Sequence, residues 1–411
     1  MKSLLLVLGL LATLAVWIAP AQAQRSTHWT GQGAFSPDSS LLAFYVQGRP
    51  ANEVVVLEMS SGRSFLFELA APHVELQDLS WAPSGNILLF VSMDPAAIES
   101  KMSDRTILGG HGSHVWAITF TAEGPQPAKV IAQGQGVRLP ALSRDGAKVA
   151  YFQGVWLPGQ ERRRTFMSPD AYAVFERDIS TGEVARAASS QYKTPRELFY
   201  DGDDAWLFSA DDAAYPRNER GIQFWGIRPA PPGKGSFGQL TNGISAFRMM
   251  RGEVLPDYPD HIRPYPENAP PGSSLAGMMS DGRPMLFGIP GETTAGEQLK
   301  SVLGDVPALT LKQMTKRAYI AVKEDGTYET YFAPEPPGIF HWDKGGGNTG
   351  GAAADSMLKR YFRIQQPYQK DQPSEERYQT SRLFVYEQQA LVLERDVADI
   401  LAKSTAVEIA E

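Results

Sequence analysis

Phe35-Ser36-Pro37-Asp38-Ser39-Ser40, followed at once by Leu41-Leu42-Ala43-Phe44-Tyr45-Val46, is the stretch on which the fold turns. The first half is a tight turn: Pro presets φ at the first central position, and Asp and Ser bond back to the local backbone. The second half is apolar at every position, and a strand without alternation is buried on both faces. The unit recurs as Trp81-Ala82-Pro83-Ser84-Gly85-Asn86 before Ile87-Leu88-Leu89-Phe90-Val91. It recurs again as Leu142-Ser143-Arg144-Asp145-Gly146 before Ala147-Lys148-Val149-Ala150-Tyr151-Phe152. Weaker copies are Tyr200-Asp201-Gly202-Asp203-Asp204 with Ala205-Trp206-Leu207-Phe208, and Met279-Ser280-Asp281-Gly282 with Pro284-Met285-Leu286-Phe287.

Further strands follow each copy. After the first, Val54-Val55-Val56-Leu57 reads as a third strand and Ser60-Ser61-Gly62 as a turn. Phe65, Phe67 and Leu69 then alternate with Ser64, Leu66 and Glu68, as in a half-exposed outer strand. The third strands of the next units read as Val115–Phe120, Ala171–Phe175, Ile222–Ile227 and Arg317–Val322. Phe237–Thr241 closes the fourth unit, and Tyr328–Phe332 the fifth. Four antiparallel strands per unit, one of them doubly buried, is the pattern of blades stacked around an axis. The expectation is an all-β propeller of four-stranded antiparallel blades, six in number within a range of five to seven. Tyr361–Ile364, Leu383–Tyr386 and Leu391–Leu393 supply the sixth, within 334–395, with the segment around Trp29 available to pair into it. Residues 396–411 read as a C-terminal helix or tail.

Composition agrees. The 411 residues include 38 Gly and 30 Pro, many turns for one chain, with 43% hydrophobic and 21% charged residues, a globular balance. There is no Cys, which excludes disulfides, Cys-ligated zinc and iron–sulfur clusters. A net charge of −7 argues against a nucleic-acid partner, because phosphate recognition needs a basic surface.

Residues 1–23 have the layout of a secretory signal peptide. Lys2 is followed by an uncharged, mostly apolar run from Leu4 to Ala19 and by Ala21-Gln22-Ala23, a small-x-small cleavage site before Gln24. The run is short for a bilayer span of about 20 residues. The expectation is a soluble mature chain, residues 24–395 forming the propeller, located in the periplasm or secreted.

The Phe-Ser-Pro-Asp-x-x-Leu-Leu-Ala-Phe unit and its variants resemble the TolB-like propeller repeat, which also builds the N-terminal propellers of prolyl oligopeptidase-type enzymes. The resemblance covers residues 30–290 well and 291–395 weakly. The third copy has Arg144 in place of the turn Pro. The resemblance implies a protein- or peptide-binding scaffold in the cell envelope, with an envelope protein or peptide as partner. The alternative is a propeller enzyme, a polysaccharide lyase or glycoside hydrolase working through central-channel residues, since propellers host many functions. No Gly-x-Ser-x-Gly elbow and no His-Glu-x-x-His stretch occurs.

Loop lengths are unequal. Turns joining first to second and third to fourth strands are short, while Asp94–Ser113, Val155–Pro169, Asp211–Arg220, Pro290–Lys316 and the Pro-rich Ile244–Ser274 are long and fall on the opposite face. Long loops in a compact fold tend to carry function, so binding is expected there. Arg162, Arg163 and Arg164, with Arg217 and Arg220, form a basic cluster on that face that suits a carboxylate. A solvated charge run is the plainer reading. His111 and His114, in the loop before Val115, are weaker binding candidates on the same face; two imidazoles three residues apart could ligate a metal or transfer a proton, but outside a helix that spacing specifies neither, and loop histidines are the plainer reading. Asp201–Asp204 lacks the glycine of a calcium loop and reads as the blade turn. Gly345–Gly351 lacks the Lys-Ser/Thr of a phosphate loop and reads as a flexible loop. Trp81, Trp116, Trp206 and Trp225 read as packing between blades. No cofactor, metal or catalytic residue is expected.

Overall fold

The computed structural model describes residues 33–46, 53–70, 74–93, 112–155, 171–190, 195–211, 224–225, 228–229, 244–253, 266, 269, 274–288, 318–334, 349–365 and 374–409. The strands group into six antiparallel blades around a ring. Blade 1 holds β1 (Gly33–Phe35), β2 (Leu41–Phe44), β3 (Glu53–Glu58) and β4 (Ser64–Leu69). Blade 2 holds β5 (Val74–Trp81), β6 (Ile87–Met93), β7 (Gly112–Thr121) and β9 (Lys129–Gln135), with β8 (Gly124–Pro125) pairing the end of β7. Blade 3 holds β10 (Val137–Leu142), β11 (Lys148–Val155), β12 (Ala171–Asp178) and β13 (Val184–Ser190). Blade 4 holds β14 (Arg196–Tyr200), β15 (Ala205–Asp211) and β18 (Ile244–Met250), beside a two-residue hairpin of β16 (Phe224–Trp225) and β17 (Arg228–Pro229). Blade 5 holds β19 (Ser274–Met278), β20 (Pro284–Gly288), β21 (Ala318–Val322) and β22 (Tyr328–Tyr331). Blade 6 holds β23 (Thr349–Ala354), β24 (Arg360–Gln365), β25 (Arg382–Glu387) and β26 (Ala390–Asp396). Helix α1 (Val397–Lys403) and strand β27 (Thr405–Ile409) follow.

The doubly buried second strands behave as their sequence demands. Leu41, Ala43 and Tyr45 pack with Phe90 and Trp116 of blade 2, whereas Leu42, Phe44 and Val46 pack with Phe362 and Val385 of blade 6. One apolar cluster fills each of the remaining interfaces, blades 2–3, 3–4, 4–5 and 5–6. Each blade is therefore a layer covered on both sides, and the ring closes.

The turns add a polar belt on the short-turn face. Ser36 Oγ and Ser40 Oγ donate to Asp38 Oδ1 at 2.6 and 2.7 Å, and Ser143 Oγ donates to Asp145 Oδ1 at 2.6 Å. The position after Asp38 is left-handed, as are Gly85, Gly146 and Gly282 at the corresponding place. Ser39 occupies it without a glycine, and its Oγ donates to Asp355 Oδ2 of blade 6 at 2.9 Å. Ser356 Oγ donates to Pro37 O at 2.9 Å, Asn86 Nδ2 to Asp38 Oδ2 at 3.2 Å, and Ser84 Oγ to Arg144 O at 2.5 Å. These bonds link the turns of blades 6, 1, 2 and 3.

Three details differ from the sequence reading. In blade 4 the strand beside β15 is β18, not Ile222–Ile227, so the segment from Ile244 is not wholly a connection. Met249 is buried between exposed Arg248 and Met250, and that alternation hid it from a search for an unbroken apolar run. In blade 6 the glycine run does not end as a loop, because Thr349–Ala354 is the inner strand. Inner strands crowd near the axis, where small residues fit. A Cβ on Gly33, the first residue of β1, would lie 2.6 Å from Phe362 Cζ. Finally, the region read as a helix or tail holds α1 and also β27, which pairs parallel with β4 as a fifth strand of blade 1. The segment around Trp29, residues 1–23 and Phe237–Thr241 lie outside the described residues.

Candidate functional site

The innermost strands share an irregularity. Register shifts interrupt β5 between Gln77 and Ser80, β10 between Arg138 and Ala141, and β14 between Arg196 and Leu198. In each, a non-glycine residue is left-handed: Asp78 at φ 51°, Leu139 at φ 52° and Glu197 at φ 45°. Each lies three residues before the side chain that opens the next turn, Trp81, Leu142 or Tyr200. Such a conformation costs an L-residue about 1–2 kcal/mol, and bulges re-aim side chains. Three blades repeat it at one level of the ring, where inner strands touch their neighbours.

These bulges assemble a polar cluster across blades. Arg138 of blade 3 donates to Asp78 of blade 2 through Nη2 to Oδ1 at 3.2 Å and through Nε to Oδ2 at 3.3 Å. The Leu139 N–H donates to the same Oδ2 at 3.0 Å. The Asp78 side chain is 3% exposed, and that of Arg138 is 29% exposed. The Asp78 carboxylate outweighs burial in holding Arg138 protonated, with Tyr172 and Glu197 adding to its field. Burial raises the Tyr172 phenol, against the lowering effect of Arg138. The cluster therefore runs Asp78, Arg138, Glu197 across blades 2, 3 and 4. Chemically it neutralises a buried carboxylate and satisfies a bulge N–H, leaving part of one guanidinium facing solvent.

A second cluster joins blades 3 and 4. Glu176, buried in β12, accepts from Arg251 Nη1 and Nη2 at 3.0 Å each and from Tyr200 Oη at 3.0 Å. Burial raises the Glu176 carboxyl, but the bonds from Arg251 and Tyr200 carry it below the ordinary value. Arg251 also lies over the Trp206 ring at 5.1 Å and donates to Asp204 Oδ1 at 3.0 Å. Burial, then Glu176, pushes the Tyr200 phenol up.

Of the residues singled out in the sequence, Arg162, Arg163, Arg164, Arg217, Arg220 and His111 lie outside the described residues. His114 is half-buried on β7, opposite Ser92, its ring 6.4 Å from that of Trp116. Among the described residues no group of three His, Cys, Asp or Glu is placed to hold a metal. Trp116 and Trp206 are fully buried, and Trp81 Nε1 donates to Ala34 O at 2.9 Å, from blade 2 to blade 1. Asp201 pairs with Arg248 in the blade turn. Sequence reasoning missed Asp78, Arg138 and Glu197. Asp78 and Glu197 stand three residues before the side chain that opens the next turn, and Arg138 stands beside Leu139 at that same offset, which is the signal that finds them.

No protein-family model matches the chain, and no curated protein matches it. Solved structures do. TolB from Acinetobacter baumannii is 11% identical with a TM-score of 0.40, over 86% of this chain and 62% of that one. An acylaminoacyl peptidase from Pyrococcus horikoshii is 11% identical with a TM-score of 0.41, over 90% of this chain and 53% of that one. The β-propeller domain of the Trilobed protease from Pyrococcus furiosus is 10% identical with a TM-score of 0.38, over 90% of this chain and 98% of that one. This chain thus spans less than two thirds of the TolB and peptidase chains it resembles. No helix among the described residues is long and apolar enough to cross a membrane. The six blades, each packed against its neighbours, make this chain a β-propeller, with TolB and peptidase propellers among its structural neighbours.

Proposed function

We propose that this chain is an exported β-propeller scaffold of the cell envelope that binds a protein or peptide through its long-loop face. The supporting observation is the placement of its connections. In blades 2–6 the second and third strands are joined by residues 94–111, 156–170, 212–243, 289–317 and 366–381, and antiparallel topology puts the strand ends that these join at one end of the blades. Among the described residues the opposite end carries short turns, and those of blades 5, 6, 1, 2 and 3 are bonded one to the next. Long variable connections on a rigid ring are the usual arrangement of a recognition surface. Arg162, Arg163 and Arg164 fall within one of these connections and suit an acidic partner.

Site-specific photocross-linking tests the face. A cross-linker at position 163, expressed in the native envelope, is expected to give a discrete adduct, and one at Ser61 in the opposite turn none. Arg162→Glu with Arg164→Glu is expected to abolish the adduct. Equal labelling from both faces, or an adduct indifferent to charge reversal, refutes the reading. Export is checked separately by N-terminal sequencing, which is expected to begin at Gln24.

A further inference from the structure

We propose that the outer edge of β4 is a strand-addition site for an extended peptide of aliphatic–basic–aliphatic sequence, and that β27 occupies it in cis as a displaceable latch. The site is on the rim of blade 1, separate from the long-loop face.

The tail shows what the edge accepts. β27 runs parallel to β4 in the register Thr405↔Phe65 to Ile409↔Leu69, and Ala70 N donates to Ile409 O at 2.8 Å. Ile409 is buried and Val407 half-buried, both against the cluster containing Phe65, Phe67, Leu69 and Phe120. Thr405, Ala406 and Glu408 are exposed. Main-chain bonds do not depend on side chains, so specificity at such an edge rests on alternate side-chain positions. Two inward aliphatic residues, two apart, are the whole of that anchoring here.

The hold is weakened from within. Parallel pairing is slightly weaker per residue than antiparallel pairing. Glu408 stands directly opposite Glu68, which stands opposite Glu53 of β3, so three carboxylates lie abreast on one face. Glu68 and Glu408 are both exposed, and like charges directly opposite destabilise a sheet. A strand with Lys or Arg where Glu408 stands, between two aliphatic residues, replaces that repulsion with attraction and outcompetes the tail. The remainder of the ring stays closed during such an exchange. Val397 and Ile400 of α1 are buried in the blade 6–blade 1 core, and the Ser404 and Ser64 hydroxyls are 2.9 Å apart, so Ser404 is the hinge. An uncovered β4 exposes an aromatic-rich edge prone to association, which accounts for a cis occupant.

Fluorescence anisotropy tests this with labelled peptides of residues 403–411: the parent sequence, a Glu408→Lys peptide and a Val407→Asp/Ile409→Asp peptide. The receptors are the unmodified full chain and a full-length Ile409→Asp chain. The Lys peptide is expected to bind about fivefold more tightly than the parent. Both are expected to bind the Ile409→Asp chain at least about tenfold more tightly than the unmodified chain, where the tethered tail competes. The double-Asp peptide is expected not to bind. Equal affinity of parent and Lys peptides, equal affinity for both chains, or a signal explained by tail-swapped dimers in light scattering overturns the proposal. Hydrogen exchange on the unmodified chain needs no variant. Amides of β27 bonded to β4 are expected to exchange at least about a hundredfold faster than those of β24 and β25. Equal protection means that the tail opens only with the whole ring, and refutes the latch.

Discussion

Replacing Asp78 by Ala removes the acceptor of three hydrogen bonds at once, at 3.0, 3.2 and 3.3 Å. What remains is a guanidinium without its partner and a Leu139 N–H held in a left-handed bulge. Breaking one side of a buried ion pair destabilises by about 3–5 kcal/mol. The Arg138 side chain keeps 29% exposure, so water recovers part of that. The expected loss is therefore about 2–4 kcal/mol. Asp78→Asn retains one carbonyl oxygen for the Leu139 N–H while losing the charge, and is expected to lose roughly half as much, about 1–2 kcal/mol. Arg138→Met in both backgrounds completes a double-mutant cycle, with a coupling of about 1–3 kcal/mol expected. Urea unfolding followed by tryptophan fluorescence reads all of these, since Trp116 and Trp206 are fully buried in blades 2 and 4. A loss below about 1 kcal/mol for Asp78→Ala would show that the pair does not bind blade 2 to blade 3.

Two further outcomes follow from the same structure. Phe44→Ala, at a 0% exposed site facing Phe362 and Val385 of blade 6, is expected to lower stability by about 3–5 kcal/mol in urea titration; a loss of a few tenths would mean that β2 is not sandwiched. The Ser180 hydroxyl, then the Thr181 N–H, hold Asp178 down at about 2 from the ordinary 3.8. A depressed carboxyl contributes stability above its unfolded value, and loses it as pH falls through the folded one. Carboxyl-carbon NMR is therefore expected to show Asp178 titrating near pH 2, with Ser180→Ala moving it up; an unchanged midpoint in the variant contradicts the cause assigned.

The propeller was legible from residue 35 onward because each clue is local. A Ser-Pro-Asp-Ser turn and the apolar hexad after it express backbone and burial preferences within a dozen residues, and Leu42 and Phe44 did turn to one neighbour while Ala43 and Tyr45 turned to the other. Strand identity was misread where local preference and final environment part. Ile222–Ile227 is richly apolar, yet the place beside β15 belongs to the alternating Ile244–Met250. Glycine and alanine are poor strand formers on their own, yet Thr349–Ala354 forms one against the axis.

Contacts between distant residues lay beyond the reach of any local pattern. Asp78 and Arg138 are sixty positions apart in the chain and meet only because adjacent blades stand side by side. The left-handed bulges that aim them are visible only as a spacing before each turn. Ile409 completes the blade that began at Gly33 through a parallel pairing that needs no turn and so leaves no turn signal. Turn chemistry and the burial of each second strand belong to the chain itself, because they follow from neighbours in sequence. The closure of the ring and the pairing of its charges belong to the tertiary fold, because they depend on which surfaces six separate sheets bring together.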